Sequence, residues 1–333
     1  MLAVTYSDLG QFDDAMGAFR ESLHLEPHSA LAYGDLVDSY LALNHLKEAR
    51  AMIEEVHAKG LDSSFLRLNV YKLHFLENAA PGMAHPVASE PLEVEHDLLE
   101  FEARTAAYFG GIRSPREFSR RAVTSAEQGE EREVASAYEA EAALRESLFG
   151  NGAEAREQAK AALGRLKGRD VEYLAGLALA TAGDAMNAQA QVDDLETRFR
   201  EDTLVRFIYL PTIRAQLALN ARNPAKAIQV LQCAAPYERA DMHTVYLRGQ
   251  AYLVSNSGGE AALEFQKVLD HRGLIVNLPI GVLAHLGLAR AYASQRDIPK
   301  ARAAYQDFLS VWKDADPDIP ILKQAKAEYA RLQ

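Results

Sequence analysis

Apolar residues recur along most of the chain at intervals of three and four, the spacing that places them on one face of an α-helix. Leu2, Ala3 and Tyr6 share one face, Gly10 supplies a turn, and Ala15, Phe19 and Ser22 share the face of a second helix, which Pro27 ends. The next stretch repeats this arrangement. Tyr33, Leu36, Val37 and Tyr40 form a first face, Asn44 marks the turn, and Ala49, Ile53 and Val56 form a second. Ser64 to Asn78 continues as an amphipathic helix carrying Phe65, Leu68, Tyr71 and Phe75. Its expected partner is interrupted by Pro81, Gly82 and Pro86, so residues 79–91 are predicted to be a short broken helix or a loop. Beyond Leu92 the pattern resumes with Leu98, Leu99, Phe101 and Tyr108, then turns at Gly110-Gly111. Ser114-Pro115-Arg116-Glu117 reads as a helix start, with Ser114 as N-cap and Glu117 reaching back. A final helix from Ile321 to Leu332 carries Ile321, Leu322, Ala325, Tyr329 and Leu332, and is expected to cap the last apolar face.

The units have a constant internal distance. A small residue on the first helix is followed 12 positions later by another on the second, in Ala103/Pro115, Ala143/Ala155, Gly176/Ala188, Ala215/Ala227, Gly249/Ala261 and Ala289/Ala301. The distance between units varies. This combination predicts helix pairs joined by loops of different length. Where antiparallel helices cross closely, a side chain larger than Ala or Gly would force them apart, and a neighbouring aromatic ring fills the remaining gap. Tyr252 and Phe265 accompany Gly249 in this way, and Tyr292 and Tyr305 accompany Ala289. No pair buries both its faces alone, so the pairs must stack into a right-handed superhelix with a concave inner surface. The predicted fold is an all-α solenoid of about nine helix pairs closed by a C-terminal helix. It is read as one unit: N-terminal repeats in 1–78, the broken joint in 79–91, further repeats in 92–319, and the cap in 320–333.

This unit resembles the tetratricopeptide (TPR) repeat, with a small residue at position 8, an aromatic at 11, a small residue at 20, an aromatic at 24 and proline at 32. The resemblance spans essentially the whole chain, is specific at both ends and degenerates between Ser64 and Glu130. In its register the chain enters the first repeat part-way through the first helix, so the folding unit is expected to begin upstream of residue 1. A narrower resemblance lies in Phe118-Ser-Arg-Arg-Ala122, Ala140-Glu-Ala-Ala-Leu-Arg145, Tyr209-Leu-Pro-Thr-Ile-Arg-Ala215 and Asp316-Pro-Asp-Ile-Pro-Ile-Leu322. These stretches look like the C-terminal TPR region of bacterial receptor-like serine/threonine kinases. That likeness implies a sensor or scaffold segment with a kinase domain and a membrane span upstream. The chain itself has no Gly-rich nucleotide loop, His-Arg-Asp or Asp-Phe-Gly, so kinase activity does not carry over.

The formal net charge of −11 argues against a nucleic-acid partner, whose phosphates demand a Lys/Arg excess, and favours basic or neutral peptides. No apolar run approaches the ~20 residues of a membrane span, so no membrane insertion by this segment is expected. The N-terminus lacks the basic and apolar regions of a signal peptide. Cys233, the single cysteine, follows Leu231 on a helix and reads as a packing residue. Three Glu-x-x-His pairs occur, Glu21/His24, Glu54/His57 and Glu93/His96. A di-iron bundle brings two such pairs and two further glutamates into one core. Here they fall on different repeats of an extended solenoid, so neither metal nor cofactor is expected. No Gly-x-Ser-x-Gly elbow or Gly-Lys-Ser/Thr loop is present, and Gly258-Gly259 reads as a turn.

The chain is therefore read as a non-catalytic interaction scaffold or sensor segment that holds a peptide or partner domain in its concave groove. The alternative is a helical ligand-binding or enzyme domain with a pocket inside the solenoid. TPR clamps for acidic tails use Lys and Asn where this chain has Gly34 and Asp38, which argues against a co-chaperone. Groove positions near the N-terminus are small or aliphatic: Leu31, Gly34, Leu41, Ala42, Ala137, Ala140 and Leu144. Towards the C-terminus they are Tyr173, Tyr209, Thr212, Gln216, Asn220, His243, Tyr246, Gln250 and Arg290, and this second set is the candidate partner-binding groove. Tyr and Arg combine contact area with a polar handle, and Gln and Asn can pair with a peptide main chain. The tyrosines can equally be gap-fillers between repeats.

Overall fold

The computed structural model describes residues 2–61, 63–78 and 96–332, and these form helices and short connections only. The first pairs are α1 (Leu2–Asp8) with α2 (Phe12–Leu25) and α3 (Ala30–Ala42) with α4 (Leu46–Ala58). α5 (Ser64–Asn78) follows, and its predicted partner in 79–91 lies outside the described residues. Next come α6 (His96–Tyr108) with α7 (Arg113–Gln128), α8 (Arg132–Phe149) with α9 (Gly152–Arg165), and α10 (Arg169–Thr181) with α11 (Ala185–Arg198). α12 (Leu210–Asn220), entered through a π-turn at Val205–Tyr209, pairs with α13 (Pro224–Leu231), and a 3₁₀ segment Gln232–Tyr237 follows. α14 (His243–Val254) pairs with α15 (Gly258–Asp270), the one-turn α16 (Arg272–Ile275) intervenes, and α17 (Pro279–Ser294) pairs with α18 (Ile298–Val311). α19 (Pro320–Ala330) ends the chain, one residue earlier at its start and two at its end than the sequence suggests. The pairs stack into a right-handed superhelix.

The constant internal distance has a single cause. Within each of the eight described pairs the first helix ends on one residue of left-handed backbone: Gly10, Asn44, Gly110, Gly150, Gly183, Arg222, Asn256 and Arg296. The next N–H bonds back five residues, as in Gly111 to Ala106 (2.8 Å), Asp184 to Leu179 (2.9 Å) and Asp297 to Tyr292 (3.0 Å). This is the Schellman closure, which satisfies the last carbonyls of a helix and fixes the exit direction. The same turn eight times sets the same helix-to-helix register eight times. Every small-residue slot read from the sequence is buried, from Ala15 and Ala49 to Ala289 and Ala301. At Gly249 the Phe265 ring lies within 2.9 Å of where a Cβ would stand, and Gly287 of α17 flanks the same ring.

Three sequence expectations are corrected. α7 begins at Arg113, so Ser114 is inside the helix and does not cap it. Cys233 is exposed, because it lies in the 3₁₀ segment after α13, where the helical face has already turned. Gly258 and Gly259 are the first residues of α15, not a turn before it.

The superhelix is tight enough to meet itself. The α6–α7 turn packs on the loop after α18: the Trp312 indole N–H donates to the Tyr108 carbonyl (2.9 Å), and the Asp316 N–H donates to the Gly110 carbonyl (2.9 Å). Gly110 combines φ of 83° with an approach so close that a Cβ would stand 2.4 Å from Ala315 Cβ. The Asp316 carboxylate accepts from the Ile112 (2.7 Å) and Arg113 (3.3 Å) N–H groups, and so caps α7 from some 200 residues away. Asp316→Ala is expected to destabilise the protein by about 1–2 kcal/mol, the range for a lost charged cap. The Ile112 and Arg113 amides should then exchange hydrogen faster, whereas unchanged exchange at both would count against this cap.

A second self-contact fills the N-terminal concavity. α16 lies against α3 so closely that a Cβ on Gly273 would stand 2.0 Å from the Leu41 carbonyl oxygen and 2.8 Å from that of Ala42. The Arg272 guanidinium donates to the Leu76 carbonyl of α5, and Val276 packs into the apolar cluster of α1–α5. Asn277, 1% exposed, donates to the Phe101 carbonyl (3.0 Å) and the Thr105 hydroxyl (2.8 Å) of α6. Leu41 and Ala42 therefore face the chain's own segment rather than a partner. Gly34 is pressed by the Phe65 ring, and Leu31 is exposed.

Candidate functional site

The concavity that the described residues leave open is lined by the first helices of the later pairs. A cavity of about 320 Å3 has an apolar floor of Leu144, Leu148, Leu177, Leu219 and Leu247, from α8, α10, α12 and α14. Its polar wall is Gln216, Asn220, His243, Tyr246, Gln250 and Arg290, and Ile321 of α19 faces them. Leu144, Leu148 and His243 also line a second cavity of about 200 Å3, with Arg104, Glu141, Arg145, Leu174, Asp241 and Leu278. Leu174 and Asp241 are shared in turn with a third, of about 150 Å3, bounded by Asp170, Tyr173, Ile208, Tyr209 and Ala240. The three form one trough along the inner face.

Eight of the nine predicted residues line this trough. Thr212 does not: it is fully buried, and its hydroxyl donates to the Ile208 carbonyl (2.5 Å). The eight differ in what they offer. Tyr173 and Tyr209 stack face to face, with ring centres 4.0 Å apart, and donate their hydroxyls to Asp241 and Asp170 respectively. Burial, then the neighbouring Asp241, holds the Tyr173 hydroxyl well above its ordinary pKa, so it is a permanent donor. Tyr246 belongs to the apolar core, edge-on to Phe265, and accepts from the Gln250 amide (3.0 Å). Gap-filling is thus a real part of what Tyr173 and Tyr246 do. Among the described residues Gln216 pairs only with Asn220 one turn away (2.9 Å), and Asn220 also donates to the Ala180 carbonyl (2.6 Å). Arg290 is held by both oxygens of Glu328 in α19 (2.9 and 3.1 Å). The cap helix therefore both covers the last pair and forms part of the trough wall.

Asp241 is the trough residue that the sequence reading missed. It sits two positions before α14 and accepts the His243 N–H (2.9 Å), so from sequence it looks like an ordinary helix-start aspartate. Its side chain turns inward to join the second and third cavities. Burial would raise its pKa, but the His243 ring (2.7 Å), the Tyr173 hydroxyl and the His243 N–H hold it below the usual carboxylate range. The carboxylate stays ionised and can only accept, so His243 carries its ring proton on Nδ1.

A larger hollow of about 440 Å3 between α7 and α9 is lined by Arg116, Arg120, Arg165, Glu127, Glu139 and Glu157, among others. Its three arginines are already paired with Glu146, Glu117 and Glu127. Among the described residues no three His, Cys, Asp or Glu side chains converge as a metal site would require, and Glu93 of the third Glu-x-x-His pair lies outside those residues. His96 bonds the Tyr138 hydroxyl (2.9 Å). No helix among the described residues is long and apolar enough to cross a membrane.

Residues 7–68 and 246–318 each match a family profile described as tetratricopeptide repeat. No curated protein matches the chain. Among solved structures it is similar to a chain of the APC/C hetero-tetramer Cut9-Hcn1, with 15% identity and a TM-score of 0.49 over 99% of this chain and 54% of that one. It thus spans about half the length of that relative. It is also similar to yeast Tom70 (14% identity, TM-score 0.33, 99% of this chain and 87% of that) and to the TPR domain of P58(IPK) (16%, 0.29, 99% and 96%). The turns, the buried small-residue slots and the two matched segments together show that this all-α solenoid carries tetratricopeptide repeats, the architecture of a protein–protein interaction scaffold.

Proposed function

We propose that the trough holds an extended segment of a partner protein, and that the chain acts without catalysing a reaction. The observation that carries this reading is the lining of the 320 Å3 cavity. Successive first helices provide an apolar floor, while Gln216, Asn220 and Gln250 present amides whose other bonds are local or to a helix carbonyl. Such groups can pair with a peptide main chain without regard to its sequence, while the leucines take an apolar side chain. The four stretches that resemble the TPR region of bacterial receptor-like kinases motivate the narrower reading, a sensor or scaffold segment of a larger signalling protein with a kinase domain upstream.

The test uses Gln216→Ala/Gln250→Ala. Both side chains are part-exposed, so truncation leaves the core intact, whereas Tyr246→Ala would hollow it. Partners retained by immobilised wild-type protein are expected to bind the double variant more weakly by about 2 kcal/mol or more, roughly thirtyfold. Equal retention of every partner, with equal melting curves, would reject the trough as the site.

A further inference from the structure

We infer that the inner surface of α3, α5 and α6 is a second docking surface, covered in this state by the chain's own residues 272–277. It fits a partner segment of the same chemistry: a guanidinium, then glycine, then a β-branched apolar residue followed by a carboxamide. The inference does not rest on the trough reading.

The surface offers acceptors and an apolar cluster, and the segment answers each in turn. Leu76 lies in the last turn of α5, where helix carbonyls carry the negative end of the dipole, and Arg272 brings its guanidinium there. The Asn277 amide nitrogen donates to the Phe101 carbonyl and the Thr105 hydroxyl of α6, which Tyr71 of α5 also meets with its own hydroxyl (2.8 Å). Between these two anchors Gly273 comes so close to the end of α3 that any side chain would strike the Leu41 carbonyl. Val276 enters the apolar cluster of α1–α5. One short stretch held by three successive inner helices is how the concave face of a solenoid holds a bound peptide. The segment is also held in a conformation that its sequence disfavours. Val276 has φ 49° and ψ −106°, and it is the one β-branched residue with positive φ among the described residues. Other such residues, Asn44 and Arg222 among them, end helices where the turn itself requires that backbone. Strain of this kind persists only where the surroundings impose it, and here the chain must turn from α16 into α17. A separate peptide has no such link to make. The covalent link gives the resident segment a concentration advantage, and the strained residue offsets part of it.

The test is binding of a fluorescein-labelled peptide of residues 270–279, read by anisotropy, to wild type and to Gly273→Ala. The added Cβ dislodges the resident segment, so the variant is expected to bind the peptide about tenfold or more tighter than wild type, whose surface is open only part of the time. A peptide with alanine in place of the arginine and the asparagine should lose that affinity. No binding to a variant whose circular dichroism matches wild type, equal binding to both proteins, or equal binding of the alanine peptide would each overturn the inference. A wild-type dimer that the peptide dissociates would assign the surface to exchange of the segment between two copies, and so overturn a separate partner. If the variant does not fold, hydrogen exchange on wild type decides. The Leu274, Val276 and Leu278 N–H groups bond to the His271 (2.9 Å), Arg272 (2.8 Å) and Ile275 (3.0 Å) carbonyls within the segment. They are expected to exchange about tenfold or more faster than amides inside α17, through openings that leave the rest folded. Exchange of both sets at one rate would mean that the segment leaves only on global unfolding, and would reject the inference.

Discussion

Trp312→Ala is expected to destabilise the protein by about 3–5 kcal/mol and to open the superhelix, raising the radius of gyration in small-angle scattering. Trp312 is 1% exposed and is the chain's single tryptophan. Its ring meets Phe149 at the end of α8 edge-on (5.2 Å between centres) and Phe308 of α18 (4.8 Å), and its N–H holds the Tyr108 carbonyl. Truncation would leave a large cavity between elements that the chain itself joins only through some 200 residues, and would strip that carbonyl of its donor. Because the fluorophore is the residue removed, stability is measured by far-UV circular dichroism in urea. A loss below ~1 kcal/mol with unchanged scattering would show that the ring does not hold the closure.

Arg145→Ala is expected to cost a comparable amount, about 3–5 kcal/mol, because it removes one member of a buried charge network. Arg145 is 5% exposed and Glu100 1% exposed. The guanidinium donates to Glu100 (3.3 Å) and to the Ser119 hydroxyl (2.7 Å), which donates on to Glu100 (2.9 Å), tying α6, α7 and α8 together. Burial pushes the Glu100 carboxyl up to about 7 from 4.5, even with Arg145 beside it. A carboxyl raised in the folded state binds protons more tightly there, so its contribution is fully present below the unfolded value and is lost as pH rises from 4.5 through about 7. Without Arg145 the carboxylate is costlier still, so the variant's deficit should be larger at about pH 8 than at about pH 5, where Glu100 is neutral. Urea titrations followed by Trp312 fluorescence measure both. Equal deficits at the two pH values would mean that Arg145 acts by packing alone.

Much of the lining of the candidate trough was legible because TPR register is a local property: a residue's place in its helix fixes whether it faces inward. That is why eight of nine groove residues chosen by position line the trough. Thr212 does not line it, because its short side chain is fully buried and its hydroxyl is turned back to the Ile208 carbonyl one turn earlier. Asp241 was missed because it precedes its helix and belongs to no repeat position. At Leu41 and Ala42 the sequence shows small and aliphatic groove positions, but not the segment that lies against them. No local pattern announces that Gly273 will stand against the Leu41 carbonyl.

The sequence by itself determined the helix pairs, their buried small-residue slots and most of their turns, since these depend on contacts within about a dozen residues and repeat at each unit. Even Arg222 and Arg296 take the left-handed turn conformation, with none of glycine's freedom, because the pair around them over-determines it. Tertiary structure alone decided how tightly the superhelix winds. Small rotations between neighbouring pairs accumulate, and the sum brings the α6–α7 turn to Trp312 and Asp316, and α3 to α16. That winding places the chain's own α16 against α3, and brings the α1–α2 turn at Gly10 onto Ala240 at the end of the trough. No single pair encodes it, because it is the sum of many small rotations between neighbouring pairs, each set by its own packing.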